Sequence, residues 1–221
     1  MDKQDNRGQR DGRGGRDFNR GGRRDGRPNN RRGGGRPPRP SAEERLSRFL
    51  AFVLRHHPEE VGLTLDEQGA ADLDALTQAI QSRPGFEDIT RERIERLTTT
   101  GAAAQRFEIR ENRIRARYGH SLAQEVRYEP AEPPEYLFHG TTPEAAQQAL
   151  TEGLKPVDRQ RVHLSIDTPA AREVGSRRCP NPVILRIDTA TARQADCRFY
   201  EAGPTVWLAD AIPPECITRA D

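Results

Sequence analysis

Arginine and histidine side chains recur at three places in the sequence where they could bind a phosphate group. Arg55 and His56 end the apolar run "FLAFVLRHH", and Pro58 follows two residues later. Arg115 stands in "RIRARYGHS" and Arg177 in "VGSRRC". A guanidinium group binds phosphate through paired hydrogen bonds, and an imidazole can donate or accept a proton near neutral pH. These residue types indicate phosphate chemistry.

Each of these places also has a purely structural explanation. Cations in the last turn of a helix are favoured by the helix dipole, which accounts for Arg55 and His56 without any ligand. The strand around Arg115 could simply carry alternating charges toward solvent. Arg177 follows Gly175 at a predicted helix end, where arginine is common. The joint pattern favours a binding site, because three guanidinium groups from distant parts of the chain suit one phosphate dianion.

A second set of polar side chains lies in the last ninety residues or so. The motif "LFHGTT" brings His139, Gly140 and Thr141 to the end of a predicted strand. In "VHLSI", His163 and Ser165 are two residues apart, so they point to the same side of a strand. A core histidine or a simple turn would explain each motif alone. No glycine-rich loop of the Rossmann or Walker type follows a predicted strand, so a bound nucleotide must be held in another way.

Three helices and a hairpin are predicted to position the first set. Ser41 and Glu44 form the pattern of a capping box ahead of a helix with apolar residues at helical spacing. Further helices are predicted to begin near Asp72 and near Thr90. The segment "RFEIRENRIRARYG" alternates apolar and polar residues on both sides of a turn, which predicts a β-hairpin. This order is that of a winged-helix module, although many such modules do not bind nucleic acid.

A proline-rich acidic break, "EPAEPPE" at residues 129–135, predicts a domain boundary. Beyond it, short strand candidates alternate with helical segments, which predicts a mixed α/β or β-rich lobe. The predicted domains are therefore a tail of residues 1–40, a lobe of residues 41–128 and a lobe of residues 129–221.

Residues 1–40 differ in composition from the rest of the 221-residue chain. They hold 12 arginines, one lysine and five aspartates, a net charge of +8, and also 10 of the 19 glycines. Residues 41–221 carry 23 basic and 29 acidic side chains, a net charge of −6. A segment whose one aromatic residue is Phe18 cannot bury enough apolar surface to offset its chain entropy. We predict a disordered tail rich in arginine and glycine.

The cysteines and the apolar runs limit the class of protein. Cys179, Cys197 and Cys216 are odd in number and lack metal-ligand spacing, which argues against a disulfide framework and a zinc site. The first ten residues contain no apolar stretch of the signal-peptide kind, and no apolar run reaches membrane-spanning length. We expect a soluble cytoplasmic monomer without a metal.

Six motifs resemble, in order and spacing, the RNA 2′-phosphotransferases, a family that completes tRNA splicing in eukaryotes and has bacterial relatives. They are "LSRFLAFVLRHHPEEVGLTLDEQG", "IRARYGHS", "YLFHGTT", "RQRVHLS", "VGSRRCPNPVIL" and "FYEAGPTVWLADAIPPECI". The resemblance runs from Leu46 to Ile217. It implies an α+β protein with an N-terminal winged-helix RNA lobe and a C-terminal lobe of the ADP-ribosyltransferase type, with the active site between them.

The resemblance also implies a reaction with NAD as a consumed co-substrate. An internal RNA 2′-phosphate attacks C1″ of the nicotinamide ribose and expels nicotinamide, and the ribose 2″-hydroxyl then attacks the phosphorus. The products are 2′-hydroxyl RNA and ADP-ribose 1″,2″-cyclic phosphate. The family's catalytic tetrad falls on Arg55, His56, Arg115 and Arg177. The implied NAD-binding residues are His139, Gly140, Thr141, Arg159, His163 and Ser165.

Two positions depart from the family pattern. His57 stands where a lysine is usual, and Pro204-Thr205 replaces Asn-Gly before "VWL". Two alternatives to the phosphotransferase also stay open. One is an ADP-ribosyltransferase that modifies nucleic-acid phosphates or other acceptors and stops after the first step. The other is a non-catalytic RNA-binding protein, suggested by the basic tail and the winged-helix order.

Overall fold

Six α-helices, three short 3-10 helices and nine strands make up the part of the chain that a computed structural model describes, residues 40–220. The predicted disorder of residues 1–40 lies, except for Pro40, outside the described residues. The helices are α1 (Ala42–Arg55), α2 (Leu73–Gln81), α3 (Arg91–Thr99), α4 (Pro143–Glu152), α5 (Thr168–Ser176) and α6 (Thr189–Gln194). The strands are β1 (Ala70–Asp72), β2 (Phe107–Arg110), β3 (Arg113–Ala116), β4 (Tyr136–Thr141), β5 (Val162–Ser165), β6 (Val183–Asp188), β7 (Phe199–Gly203), β8 (Val206–Ala209) and β9 (Ile217–Arg219).

Helix α1 begins at the predicted capping box. The Glu44 backbone N–H donates to Ser41 Oγ at 3.1 Å, and the Ser41 N–H donates to Glu44 Oε2 at 2.8 Å. These bonds satisfy N–H groups that the first turn of a helix leaves without partners. The apolar face of α1 is buried at Leu46, Leu50, Val53 and Leu54. Because this face anchors the helix, its last residues are held at a defined place.

The first sheet is antiparallel in the order β1-β3-β2, and the predicted hairpin is confirmed as β2 and β3. Glu111 and Asn112 form its turn with positive φ angles of 46° and 63°, as a two-residue hairpin turn requires. The hairpin register places Arg115 opposite Glu108, and β1 places Ala70 on the other side of Arg115. The predicted start of α2 is confirmed, with Asp72 as its N-cap. The short strand β1 just before it was not predicted.

The second sheet has six antiparallel strands in the order β7-β8-β5-β4-β6-β9. Strand β4 lies at its centre, between β5 and β6, so residues 137–141 of the motif "LFHGTT" have a strand on each side. Helix α5 lies against β4 at backbone contact. A Cβ added to Gly140 would stand 1.8 Å from the Ala171 carbonyl oxygen. Only glycine allows this close approach, which brings the end of α5 next to β4.

The two sheets belong to different apolar cores, and a third, smaller apolar cluster of Tyr200, Ala202 and Leu208 lies on β7 and β8. The first core joins α1, α2, α3 and the hairpin, and includes Leu50, Phe107 and Ile114. The second core lies under the larger sheet and includes Leu137 and Leu185. A mixed α+β fold is therefore confirmed, while the boundary at residue 129 stays a prediction. Among residues 40–220, no helix is long and apolar enough to cross a membrane.

Candidate active site

The last residue of α1, Arg55, carries an unpaired guanidinium group. Its Nε and Nη2 atoms are buried and have no hydrogen-bond partner among the described residues. The guanidinium carbon lies 5.0 Å from the centre of the Tyr118 ring. Burial lowers the pKa of Arg55; Tyr118 opposes this effect and Arg159 adds to it. Buried hydrogen-bond donors without partners cost free energy, and a bound anion would satisfy them.

His56 lies beside Arg55 as the C-cap of α1, and one of its ring nitrogens is occupied. His56 Nδ1 lies 2.7 Å from Ser121 Oγ. This contact leaves Nε2 as the ring nitrogen that can meet a ligand. Burial, followed by the charges of Arg55 and Arg159, lowers the pKa of His56 below its ordinary value. The imidazole is therefore biased toward its neutral form, which a bound dianion would offset.

The turn at Gly119 brings two guanidinium groups to one place. Gly119 has a φ of 91°, in the left-handed region, which favours glycine. A Cβ on Gly119 would lie 3.3 Å from Arg159 Nη1 and 3.4 Å from Arg55 Nε. Arg55 from the first core and Arg159 from the segment before β5 therefore flank the same turn. Two cations held this close favour a polyanionic ligand.

Two neutral histidines extend this cluster into the larger sheet. Arg159 Nη1 lies 3.1 Å from His163 Nε2, and His163 Nδ1 lies 3.1 Å from the Arg161 carbonyl oxygen. Since the guanidinium only donates, His163 accepts at Nε2 and donates from Nδ1. Burial, with Arg159 second, lowers the pKa of His163 to about 3. His139 Nδ1 donates to the His163 carbonyl oxygen at 2.9 Å, and burial lowers its pKa too.

The other predicted NAD-binding residues flank these histidines on β4 and β5. Gly140 follows His139, and its lack of a side chain is already required by α5. Thr141 and Ser165 are buried, at the ends of β4 and β5. The structure thus gathers all six predicted NAD-binding residues on two paired strands and the segment just before β5.

Arg177 lies at the end of α5, where its side chain is exposed. Its Nη2 forms an ion pair with Glu173 Oε1 at 2.9 Å, one helical turn away. An exposed pair of this kind contributes little stability, so Arg177 can exchange Glu173 for another anion. After burial, the charges of Arg178 and then Arg177 are among the causes that lower the pKa of Arg159. The end of α5 therefore faces the cluster around Arg159.

Arg115 differs from the other predicted catalytic residues because it already has a partner. Its Nε and Nη2 donate to Glu108 Oε2 at 2.9 and 2.7 Å. Glu108 is buried, and Arg110 also pairs with it at 2.6 Å. Burial raises the pKa of Glu108, but the Arg115 hydrogen bond and the nearby arginine charges bring it below its ordinary value. The charges of both Arg115 and Arg55 act on the buried His120.

Some residues of the cluster were missed by reasoning from the sequence. Tyr118 and Ser121 contact Arg55 and His56, and Gln160 ties the turn at Gly119 to the segment before β5. Their signal lies in "YGHS", directly after the strand of Arg115. No local feature of that motif predicts that the turn packs against the end of α1.

None of the described residues forms a group of three or more His, Cys, Asp or Glu side chains that could hold a metal ion. The thiols of Cys179, Cys197 and Cys216 are free, and burial raises the pKa of Cys197 to about 11. The chemistry of the cluster therefore lies in its arginines, its histidines and their hydroxyl neighbours.

The fold and the cluster define a class: an α+β protein in which guanidinium and imidazole groups lie together, an arrangement suited to phosphate chemistry. Comparison with known proteins narrows the class. The model of the family described as "RNA 2'-phosphotransferase, Tpt1 / KptA family" matches residues 41–211. The chain belongs to this family, and the resemblance seen in the sequence motifs is confirmed.

Individual relatives agree with the family model over most of the chain. A "Probable RNA 2'-phosphotransferase" of Agrobacterium fabrum is 42% identical over 175 residues, covering 78% of this chain and 91% of the relative. Proteins of the same name from Bacillus thuringiensis subsp. konkukian and Thermococcus kodakarensis are each 38% identical. The match to the Bacillus protein covers 78% of this chain and 92% of the relative. The match to the Thermococcus protein covers 80% of this chain and 97% of the relative.

Proposed function

We propose that this protein removes an internal 2′-phosphate from RNA by transferring it to NAD. The products are 2′-hydroxyl RNA, nicotinamide and ADP-ribose 1″,2″-cyclic phosphate. One observation carries the proposal: the Arg55 guanidinium is buried next to His56 with Nε and Nη2 unpaired. The names of the relatives supply the substrate class, and the resemblance of the motifs supplies NAD as the phosphate acceptor.

The RNA phosphate is assigned to Arg55, His56 and Arg177. A phosphate monoester is itself a nucleophile, so the protein must mainly orient it and balance its charge. Arg55 has two buried nitrogen donors without partners, Nε and Nη2. Arg177 is held only by an exposed ion pair. His56 Nε2 is then available to the oxygen that leaves the phosphorus. These residues orient the phosphate and stabilise the charge that grows on its oxygens.

NAD is assigned to Arg159, His163 and His139, with Gly140, Thr141 and Ser165 around them. Arg159 supplies a positive charge for the pyrophosphate. The two imidazoles are neutral because burial lowers their pKa values, so they can bind hydroxyl and amide groups without adding charge. Bound NAD supplies the ribose carbon that accepts the phosphate. The chain's own groups hold it against the Arg55 site.

Arg115 is proposed as the fourth member of the catalytic tetrad. Two of its nitrogens, Nε and Nη2, donate to one oxygen of Glu108, so it reaches a substrate phosphate only if that pair opens. Glu108 keeps Arg110 and the more distant Arg117 as partners when Arg115 moves away. A guanidinium that changes partner on substrate binding would couple the hairpin to the site.

The finer fold classes are part of the proposal. The order α1, β1, α2, α3, β2, β3 supports a winged-helix lobe that binds RNA. The antiparallel six-stranded sheet, with His139 and His163 on paired strands, supports a lobe of the ADP-ribosyltransferase type. The domain limits are then residues 41–128 and 129–221, with residues 1–40 as a tail.

Product analysis tests this function. The purified chain is incubated with NAD and an oligonucleotide that carries one internal 2′-phosphate, with the 2′-hydroxyl oligonucleotide as control. We expect equal amounts of nicotinamide, 2′-hydroxyl RNA and the cyclic phosphate. Nicotinamide with ADP-ribosylated RNA and no cyclic phosphate would instead identify an ADP-ribosyltransferase. Binding of the oligonucleotide without nicotinamide release would identify a non-catalytic RNA-binding protein.

A further inference from the structure

Ser121 contacts both residues of the Arg55-His56 pair at the end of α1. Its backbone N–H donates to the Arg55 carbonyl oxygen at 3.0 Å. Its Oγ lies 2.7 Å from His56 Nδ1. The last carbonyl groups of a helix lack partners within the helix. A residue 65 positions further along the chain therefore completes the end of α1 and also engages the imidazole.

The turn that carries Ser121 is held in place from its other side by Gln160. The Gln160 backbone N–H donates to the His120 carbonyl oxygen at 3.2 Å. Its side-chain Nε2 donates to the carbonyl oxygens of Leu122 and Gln124 at 2.8 and 2.7 Å, and its Oε1 accepts from the Val126 N–H at 2.9 Å. Although the Ser121 side chain is exposed, its backbone is fixed by these bonds.

This arrangement decides what His56 can offer to a ligand. With Nδ1 facing the hydroxyl, Nε2 is the only ring nitrogen left for a substrate oxygen. Arg55, Arg159 and His57 are the charged or titratable groups whose fields act on this imidazole. All of them disfavour a second proton on the ring, so one ring nitrogen stays unprotonated and can accept a hydrogen bond. When that nitrogen is Nδ1, it accepts the Ser121 hydroxyl. The single proton of the ring then sits on Nε2.

We propose that Ser121 is a positioning residue for the reaction: it donates its hydroxyl to His56 Nδ1, keeps the ring proton on Nε2, and aims Nε2 at the substrate phosphate. The proposal rests on the proposed function for the identity of that phosphate. The tautomer and the orientation of His56 are properties of the free protein.

The backbone contact and the side-chain contact can be separated by mutation. Ser121→Ala removes Oγ but keeps the N–H that donates to Arg55, so the end of α1 stays capped. Ser121→Thr keeps the hydroxyl. Ser82→Ala is a matched control, because Ser82 also lies exposed at a helix end, where its hydroxyl donates to the Gln78 carbonyl oxygen at 2.9 Å.

The first measurement is an NMR titration of the ¹⁵N-labelled histidine rings without RNA or NAD. In the wild-type protein and in Ser121→Thr we expect His56 to be protonated at Nε2 in its neutral form. In Ser121→Ala we expect a mixture of tautomers and a His56 pKa closer to the ordinary value, because a hydroxyl that donates to Nδ1 stabilises the neutral ring. Unchanged His56 signals in Ser121→Ala would overturn the proposal.

The second measurement is steady-state kinetics with NAD and the 2′-phosphorylated oligonucleotide. We expect Ser121→Ala to lower kcat about tenfold, with KM for RNA and the melting temperature nearly unchanged. Ser121→Thr should recover most of the activity, and Ser82→Ala should match the wild type. A fall in melting temperature that accounts for the loss, or no rescue by threonine, would make Ser121 merely structural. If the wild-type protein forms no cyclic phosphate, the proposed function fails, while the NMR result still decides the role of Ser121.

Discussion

Two regions beside the first core differ in whether their arginine has a hydrogen-bond partner within the chain. At the end of α1, Arg55 is buried and keeps Nε and Nη2 without partners. On the hairpin, Arg115 is engaged by the buried carboxylate of Glu108, together with Arg110. An ion pair formed inside the chain satisfies a charge, so the cation binds a ligand only after the pair opens, whereas an unpaired buried cation is tolerated where a ligand completes it. The contrast separates an arginine that can bind substrate directly, Arg55, from one that must first release Glu108, Arg115.

The largest expected effect comes from removing the unpaired cation. Arg55→Met should lower turnover about a hundredfold or more, because it deletes a donor that acts on the phosphate charge. The melting temperature should stay the same or rise, since the substitution removes a buried guanidinium without a partner. Arg48→Ala, an exposed position on the same helix, should retain wild-type turnover. A folded Arg55→Met variant with near-normal turnover would remove Arg55 from the mechanism.

The second prediction concerns the paired cation. Arg115→Ala should lower the free energy of unfolding by about 2 kcal/mol, or roughly 4–8 °C in melting temperature, because it leaves Glu108 buried with weaker partners. Arg113→Ala is the matched control on the same strand, since it breaks a more exposed pair with Asp66 and should cost less than about 1 kcal/mol. Equal melting temperatures for the two variants would show that the pair of Arg115 and Glu108 stabilises the fold no more than the exposed pair of Arg113 and Asp66 does.

The third prediction uses His120, which is buried between the two regions. Burial, then the charges of Arg55 and Arg115, lower its pKa to about 4. Below about pH 6.5 the unfolded chain binds a proton at this residue that the folded chain does not bind until about pH 4. The free energy of unfolding should therefore fall with pH in this window, by about 2 kcal/mol from this residue at pH 5.

Urea unfolding at pH 7.5 and at pH 5 measures this loss. His120→Asn keeps an acceptor near the position of Nδ1, which lies 2.9 Å from the Tyr128 hydroxyl. The variant cannot take up the proton, so it should lose less stability on acidification than the wild-type protein does. If both proteins lose the same free energy, His120 is not the group that responds to pH.

The smallest effect is expected from deleting residues 1–40, an arginine-rich segment that, except for Pro40, precedes the described part of the chain. Their net charge is +8, against −6 for residues 41–221. Arginine-rich segments gain affinity for RNA by neutralising phosphates and releasing counterions, which depends on salt and hardly on sequence. Deleting residues 1–40 should preserve kcat on a short saturating oligonucleotide and flatten the salt dependence of affinity for long RNA. Identical salt slopes would mean that the segment does not contact RNA.

Local signals predicted part of this picture. Ser41 and Glu44 marked the start of α1, and the alternation around Glu111-Asn112 marked the hairpin. The pairing of Arg115 with Glu108 could also have been predicted from the sequence, because a turn at Glu111-Asn112 puts these residues opposite each other. Strands β1, β7 and β9 were missed. Strands β1 and β9 have only three residues each, too few for a period-2 pattern.

The long-range contacts of the site could not be read from local patterns. Ser121 meets His56 across 65 positions, and Gly119 brings Arg55 next to Arg159. These contacts depend on how the turn after β3 packs on α1, which no period or turn signal encodes. The residue types of the tetrad pointed to phosphate, but only the structure distinguishes a guanidinium without a partner from one in an ion pair.

Equilibrium binding without NAD tests the central claim most directly: that the unpaired guanidinium of Arg55 is the RNA phosphate site. The affinities of wild-type protein and Arg55→Met are compared for two oligonucleotides of one sequence, with and without the internal 2′-phosphate. We predict that wild-type protein prefers the phosphorylated oligonucleotide at least about tenfold, and that Arg55→Met loses this preference while keeping its affinity for the 2′-hydroxyl form. A preference of the same size in both proteins would contradict the claim.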